Sequence, residues 1–147
     1  FRPLYSESEN RRINQELAHI SITAIEDREG QVIHNFLLDR LNPDGRRADT
    51  IYTLKVAVSS NTKEIGLKFT EEATRAKLTL IARYSFTRDT DGKVLAEGSV
   101  RSVNNYNISN SEFAHLASER DATERAAREV SDEIKTRLSL YFSRRGL

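Results

Sequence analysis

The three histidines have the widest range of possible chemistry, since imidazole can act as a base or bind a metal near neutral pH. His19, His34 and His115 are far apart in the sequence, and no two of them show the HxxxH spacing that converges on a metal. We therefore predict structural positions for all three histidines and no metal site.

A second candidate for metal binding is the short acidic segment Asp89-Thr90-Asp91-Gly92. It matches the opening of a calcium loop, but Lys93 and Val94 follow the glycine, and the distant bidentate Glu is missing. An Asp-Gly pair between two apolar runs is typical of a tight hairpin turn, because such turns need a positive φ. The segment is therefore predicted to be a hairpin turn.

No residue is set up as a nucleophile. Gly98-Ser99 lacks the GxSxG frame of a nucleophile elbow, the six glycines form no phosphate cradle, and cysteine is absent. The prediction is a protein that is not an enzyme, needs no cofactor and works through a binding surface.

Composition limits the class of binding protein. The chain has 147 residues, with 23 basic and 22 acidic side chains and a net charge of +1. This balance gives no overall field that would draw the protein onto a polyanion, so nucleic acid is not an expected partner. The length and the 37% content of hydrophobic residues suit one α+β domain. We expect that domain to span residues 15–147, after an extended tether at residues 1–14.

Hydrophobic periodicity predicts the order β-α-β-β-β-α. Alternating residues from Leu17 to Ala24 favour a strand, and the spacing from Ile33 to Leu41 favours a short helix. Three further strands are predicted near residues 52–59, 76–86 and 93–103. In the second of them, from Ala76 to Phe86, mainly apolar even-numbered residues alternate with Lys77 and the other odd-numbered residues, which predicts two distinct faces. The polar segment Ser60 to Thr70 is interpreted as a loop or a bulged extension.

The last predicted element is a long helix over Glu112 to Ser143, with apolar residues every four positions. Its length of roughly 48 Å, at ~1.5 Å per residue, exceeds a small domain. We therefore predict a break or a protrusion near Ser118, with residues 109–117 as a separate turn. Two helices packed on one face of a four-stranded sheet would bury these apolar stripes.

Three features together identify a family resemblance: the opening Phe1-Arg2-Pro3-Leu4-Tyr5, the element order, and the Ala-rich stretch that begins Ser118-Glu119-Arg120-Asp121-Ala122. The chain resembles the lipopolysaccharide-assembly lipoprotein family, LptE, in its alphaproteobacterial form. In that family a lipidated Cys and a Gly precede a similar opening stretch. This chain lacks that Cys, so the tether is expected to follow a missing lipidated residue.

The resemblance implies a non-enzymatic outer-membrane lipoprotein on the periplasmic side, held by an N-terminal lipid anchor. Its implied partners are lipopolysaccharide and a β-barrel lipopolysaccharide-assembly protein of the LptD type, which it would plug. The family's lipopolysaccharide-binding positions correspond most nearly to Lys63, Lys68 and Arg120. An alternative function is a stand-alone periplasmic amphiphile-binding module, which would contain a concave apolar pocket.

Overall fold

The protein is described here by a computed structural model, over residues 7–45, 49–66, 74–108 and 111–145. These residues form three helices and four strands in the order α-β-α-β-β-β-α, which confirms the α+β class. The elements are α1 (Glu7–Ala18), β1 (Ile20–Ile22), α2 (Asp27–Leu41), β2 (Tyr52–Gly66), β3 (Thr74–Arg88), β4 (Val94–Ile108) and α3 (Glu112–Arg145).

The strands form one mixed sheet in the order β1-β2-β3-β4. β1 is parallel to β2 and pairs with it only at residues 52–54, whereas β2, β3 and β4 form antiparallel pairs along their length. The predicted hairpin turn is confirmed, with Gly92 at φ 69° and its amide donating to the Arg88 carbonyl oxygen at 2.8 Å.

Side chains alternate between the two faces of the sheet, as the sequence pattern of β3 predicted. Even-numbered residues of β3, from Ala76 to Phe86, are buried beneath the helices together with Leu54 of β2 and Val100 of β4. The apolar stripe of α3, which includes Val130 and Ile134, completes this core. The odd-numbered residues occupy the other face, which the core does not reach.

Helix α3 runs without interruption for 34 residues, so the predicted break near Ser118 and the separate turn are wrong. The prediction assumed a domain shorter than the helix. Each of β2, β3 and β4 has 15 residues, about 50 Å at ~3.3–3.4 Å per residue, so the sheet matches a helix of ~51 Å. The segment interpreted as a loop after Ser60 is strand as far as Gly66.

Residues 7–14 are not an extended tether, because they form most of α1; residues 1–6 lie outside the described residues. Ile13 and Leu17, four positions apart, are buried, and Arg12 donates to the Phe142 carbonyl oxygen of α3 at 3.3 Å. The predicted first strand, from Leu17 to Ala24, was also too long. Leu17 belongs to the apolar stripe of α1, and only Ile20–Ile22 pairs with β2.

Candidate functional site

The sheet face that points away from the helices carries an excess of positive charge. This open face comprises the odd-numbered residues from Lys55 to Ile65 of β2, Arg75 to Ser85 of β3, and Glu97 to Asn107 of β4. Its only acidic residue in these ranges is Glu97. Its basic residues are Lys55, Lys63, Arg75, Lys77, Arg83 and Arg101.

Strand register concentrates three of these cations where β2 ends. Lys63 lies directly opposite Lys77, and Arg75 lies two residues from Lys77 on the same face. Directly opposed Cβ atoms in antiparallel strands are about 4.5–5.5 Å apart, and like charges placed there repel each other. We call Lys63, Arg75 and Lys77 the distal cluster; among the described residues, none of the three is in an ion pair. An anion bound there would relieve the repulsion.

Apolar side chains adjoin the distal cluster on the same face. Ile65 pairs with Arg75 and is 42% exposed. On β4, Val103 pairs with Thr79, two residues from Lys77 along β3, and is 44% exposed. The long stems of Lys and Arg can pack on such surface while their charged ends reach a polar ligand. Cations beside exposed apolar side chains suit a phosphorylated amphiphile.

The helix layer differs because its charges are balanced locally. Along α3, Asp121 pairs with Arg125 and Glu124 with Arg128, in each case four residues apart. Opposite charges four residues apart are typical of a solvated helix face. The helix layer therefore offers no comparable excess of positive charge.

The three residues carried over from the family have separate positions. Lys63 is exposed in the distal cluster, whereas Lys68 lies outside the described residues. Arg120 is exposed on α3, where it lines a groove of about 490 Å³ between α2 and α3. Lys63 and Arg120 therefore belong to different layers of the fold.

The groove between α2 and α3 partly matches the concave apolar pocket that was predicted for the alternative function, a stand-alone amphiphile-binding module. Val32, Phe36 and Leu116 supply its apolar lining, and Arg28 and Arg120 are among its charged residues. It is an open groove between two helices, and acidic residues of both helices also line it. The charge excess of the open face is missing here.

Sequence reasoning missed Arg75 and Lys77 as partners of Lys63. The alternation in β3 already assigned Lys77 to the face opposite Leu78 and Leu80. What was missing was the register of β2 against β3, because residues 60–66 were not recognised as strand.

The histidines occupy unrelated positions. His19 Nδ1 lies 2.7 Å from the Asp49 carbonyl oxygen, and His34 Nε2 lies 3.4 Å from the Ile22 carbonyl oxygen. His115 is on α3, 3.7 Å from the Glu119 carboxylate. Within the described ranges, no three metal-ligating side chains come together, and no helix is both long and apolar enough to cross a membrane.

The open face also contains a shallow depression at the other end of the sheet, lined by Lys55, Arg83 and Glu97 among others. Lys55 and Glu97 are both cross-strand neighbours of Ser85, so opposite charges flank one central residue. This end of the face is more nearly neutral than the distal cluster. A strongly anionic ligand is therefore better matched to the distal cluster.

The comparisons with known proteins agree with this architecture. A family model described as LptE, lipopolysaccharide-assembly, matches residues 17–138. The crystal structure of a lipoprotein from Caulobacter crescentus CB15 is similar to the chain with a TM-score of 0.74 and 21% identity, over 90% of this chain and 97% of that chain. None of the curated proteins has significant sequence similarity to the chain.

Two further solved structures share the fold. The rare lipoprotein B from Shewanella oneidensis has a TM-score of 0.68 and 13% identity, over 87% of this chain and 98% of that chain. A minor lipoprotein from Acinetobacter baumannii has a TM-score of 0.64 and 14% identity, over 82% and 90% of the two chains. At these identities the likeness is one of fold, and the family match carries the assignment.

Proposed function

We propose, from the premise that this chain belongs to the LptE lipopolysaccharide-assembly family, that it acts in the outer membrane as the plug of a β-barrel translocon. The family is non-enzymatic and has a lipoprotein role in lipopolysaccharide assembly, in agreement with the prediction that the chain is not an enzyme. In the proposal, an N-terminal lipid anchors the protein on the periplasmic side, and its barrel partner is of the LptD type. Lipopolysaccharide is its ligand.

The observation that supports the ligand is the distal cluster. Lipid A and the inner core carry phosphates, and phosphate oxygens accept charge-assisted hydrogen bonds from Lys and Arg. Arg75 can present a planar fork to one phosphate, while Lys63 and Lys77 act as flexible point charges on either side. The exposed Ile65 and Val103 offer apolar contact to the lipid portion.

The proposed contact with the barrel lies along the rest of the open face. Thr79, Ser85 and Ser99 occupy it with polar side chains, which suit the polar interior of a barrel. The helices cover the other face of the sheet, so one protein can bury its own core and still present a largely polar surface about 50 Å long.

The test of the ligand site compares two triple variants with the same change of charge. The first replaces Lys63, Arg75 and Lys77 with Gln, and the control replaces the exposed residues Arg11, Lys93 and Arg144 with Gln. Binding of lipopolysaccharide to each purified protein is measured by fluorescence titration at low and high salt. If three exposed contacts are worth about 0.5–1 kcal/mol each, affinity falls roughly 10- to 100-fold in the first variant only.

The salt dependence should also be weaker in the first variant, because screening acts on the contacts that it lacks. An equal loss in both variants would show that net charge alone controls binding and would reject the site. Arg120→Gln, measured separately, tests the groove between α2 and α3. A larger loss for Arg120→Gln than for the triple variant would move the proposed site to that groove.

The plug is tested by co-purification of the full-length lipoprotein with outer-membrane proteins. Recovery of a large β-barrel protein is expected. Lipopolysaccharide binding with no barrel recovered would favour the alternative of a stand-alone amphiphile-binding module.

A further inference from the structure

The two long edges of the sheet, on β4 and β2, differ in how their outward-facing backbone groups are hydrogen-bonded. In β4, alternate residues turn their backbone groups away from β3, and two of these carbonyl oxygens accept hydrogen bonds from α3. Arg137 Nη1 donates to the Ser99 oxygen at 3.1 Å, and Arg125 Nη2 donates to the Asn105 oxygen at 3.4 Å. Two helix arginines thus occupy part of the β4 edge, where a foreign strand could otherwise pair.

Arg137 reaches this edge because residue 98 has no side chain. A Cβ on Gly98 would lie 2.9 Å from Tyr84 Oη and 3.2 Å from Arg137 Nη1. The guanidinium carbon of Arg137 lies 5.8 Å from the centre of the Tyr84 ring. The protection of the β4 edge is therefore built into the packing of α3 on the sheet.

In the part of the chain that the structure describes, the opposite edge, on β2, is unpaired over most of its length. β1 pairs with β2 only as far as Leu54, whose carbonyl oxygen accepts the last hydrogen bond, from the Thr23 amide at 3.0 Å. The chain then turns towards α2, and among the described residues no strand pairs with β2 on this side beyond Leu54. A cleft of about 350 Å³ lies beside β2 at this point, lined by residues 23–27 and 55–58.

Backbone direction identifies which groups are unpaired. Leu54 directs its carbonyl oxygen towards β1, so the even-numbered residues of β2 direct their amides and carbonyls to the same side. From Val58 to Glu64 these groups face the open edge, while the odd-numbered residues pair with β3. Pairing with β3 continues to Gly66 without a bulge, and residues 59–65 are exposed on both faces.

We propose that the β2 edge from Val58 to Glu64 binds an extended strand of a partner protein. Strand addition supplies affinity through main-chain hydrogen bonds and specificity through alternate side chains. On the open face the incoming strand would lie beside Lys63, with Lys77 one strand further in, so a carboxylate on that face of the strand fits it. The partner is therefore a β-strand with Asp or Glu along one face.

Charge argues against a second copy of this chain as the occupant. Pairing two β2 edges would join two basic open faces into one sheet, with the distal clusters of both copies on the same surface. Like-charge juxtaposition of this kind suppresses association. The same positive charge would instead favour the binding of an acidic strand.

The probe is a synthetic nonapeptide in which Glu alternates with Thr, and its control has Lys in place of each Glu. Binding to the full chain is measured by fluorescence polarisation, and backbone protection by amide hydrogen exchange. The Glu peptide should bind more tightly than the Lys peptide. It should newly protect the even-numbered amides from Val58 to Glu64, since the odd-numbered ones are already bonded to β3.

Ser60→Pro removes one edge amide but no bond to β3, a position at which edge strands tolerate proline. Ser60→Ala, which keeps the amide, is the matched control. The proline variant should bind the Glu peptide about tenfold more weakly, while the alanine variant changes little. Both variants should keep the native circular dichroism spectrum and bind lipopolysaccharide as the parent chain does, which separates this proposal from the ligand site.

Three results would overturn the proposal. Protection that does not follow the even-numbered positions would show that the peptide does not add as a strand. Equal binding of the Glu and Lys peptides would reject an acidic partner. A dimer of the free chain that is lost in Ser60→Pro would make a second copy the occupant.

Discussion

Phe86 lies at the centre of an aromatic cluster that joins the sheet to α3, and its truncation is the most direct test of the core. The side chain is fully buried, and its ring centre lies 5.0 Å from that of Tyr52, 5.6 Å from that of Tyr141 and 5.7 Å from that of Phe142. Truncating a buried Phe to Ala removes apolar burial and leaves a cavity, which together cost about 3–5 kcal/mol. Because three ring contacts are lost as well, we expect the upper half of this range for Phe86→Ala.

The chain supplies a matched control in Phe113, which is 84% exposed at the start of α3. Phe113→Ala makes the same chemical change without loss of burial and should alter the free energy of unfolding by no more than about 0.5 kcal/mol. Urea unfolding followed by far-ultraviolet circular dichroism gives both values. A loss for Phe86→Ala below about 2 kcal/mol, or equal losses in the two variants, would refute the position of Phe86 in the core.

The remaining predictions concern a helix glycine and two titrating side chains. Gly30→Ala should destabilise the protein by about 1–3 kcal/mol in urea unfolding, although Ala favours helices, because its Cβ would lie 2.9 Å from the Ile25 carbonyl oxygen. A stabilised variant would contradict that contact. Burial, aided by a hydrogen bond to Glu16, raises the pKa of Tyr52 to about 12. Its contribution to stability is therefore present below pH ~10 and lost as the pH rises to about 12, and Tyr52→Phe should remove that alkaline loss. Hydrogen bonds from a neighbouring arginine and from a backbone amide lower the pKa of Asp91 to about 2. Its contribution is present above pH ~4 and lost as the pH falls to about 2, so Asp91→Asn should flatten this part of the stability curve, and an unchanged slope would contradict the assignment.

The parts of the fold that the sequence predicted well are those with one dominant apolar period. The two-residue alternation from Ala76 to Phe86 predicted β3 and its buried face, and the four-residue period of α3 predicted its core side. Where the period was mixed, prediction failed. Leu17 fits both a strand pattern and the helical pair with Ile13, and only packing against α3 decides between them.

The polar second half of β2 could not be predicted from its own residues. Ser59 to Ile65 is exposed on both faces, so it has no alternation of apolar and polar residues. It is strand because β3 offers it a long ladder of hydrogen bonds, which is a tertiary effect. The distal cluster could not be predicted for the same reason, since Lys63 lies opposite Lys77 only because of that ladder.

The contrast between the two layers explains where a ligand site can form in this fold. On α3, each turn can place an acid four residues from a base, so local sequence balances the charge as in the pair of Glu133 and Arg137. On the open face, the neighbours of a side chain come from other strands, and balance would need an acid at the opposed position. That position holds Lys77 opposite Lys63, and Asn105 opposite Lys77. Among the described residues the distal cluster therefore has an excess of positive charge, and an anionic ligand can neutralise it without displacing any ion pair found there.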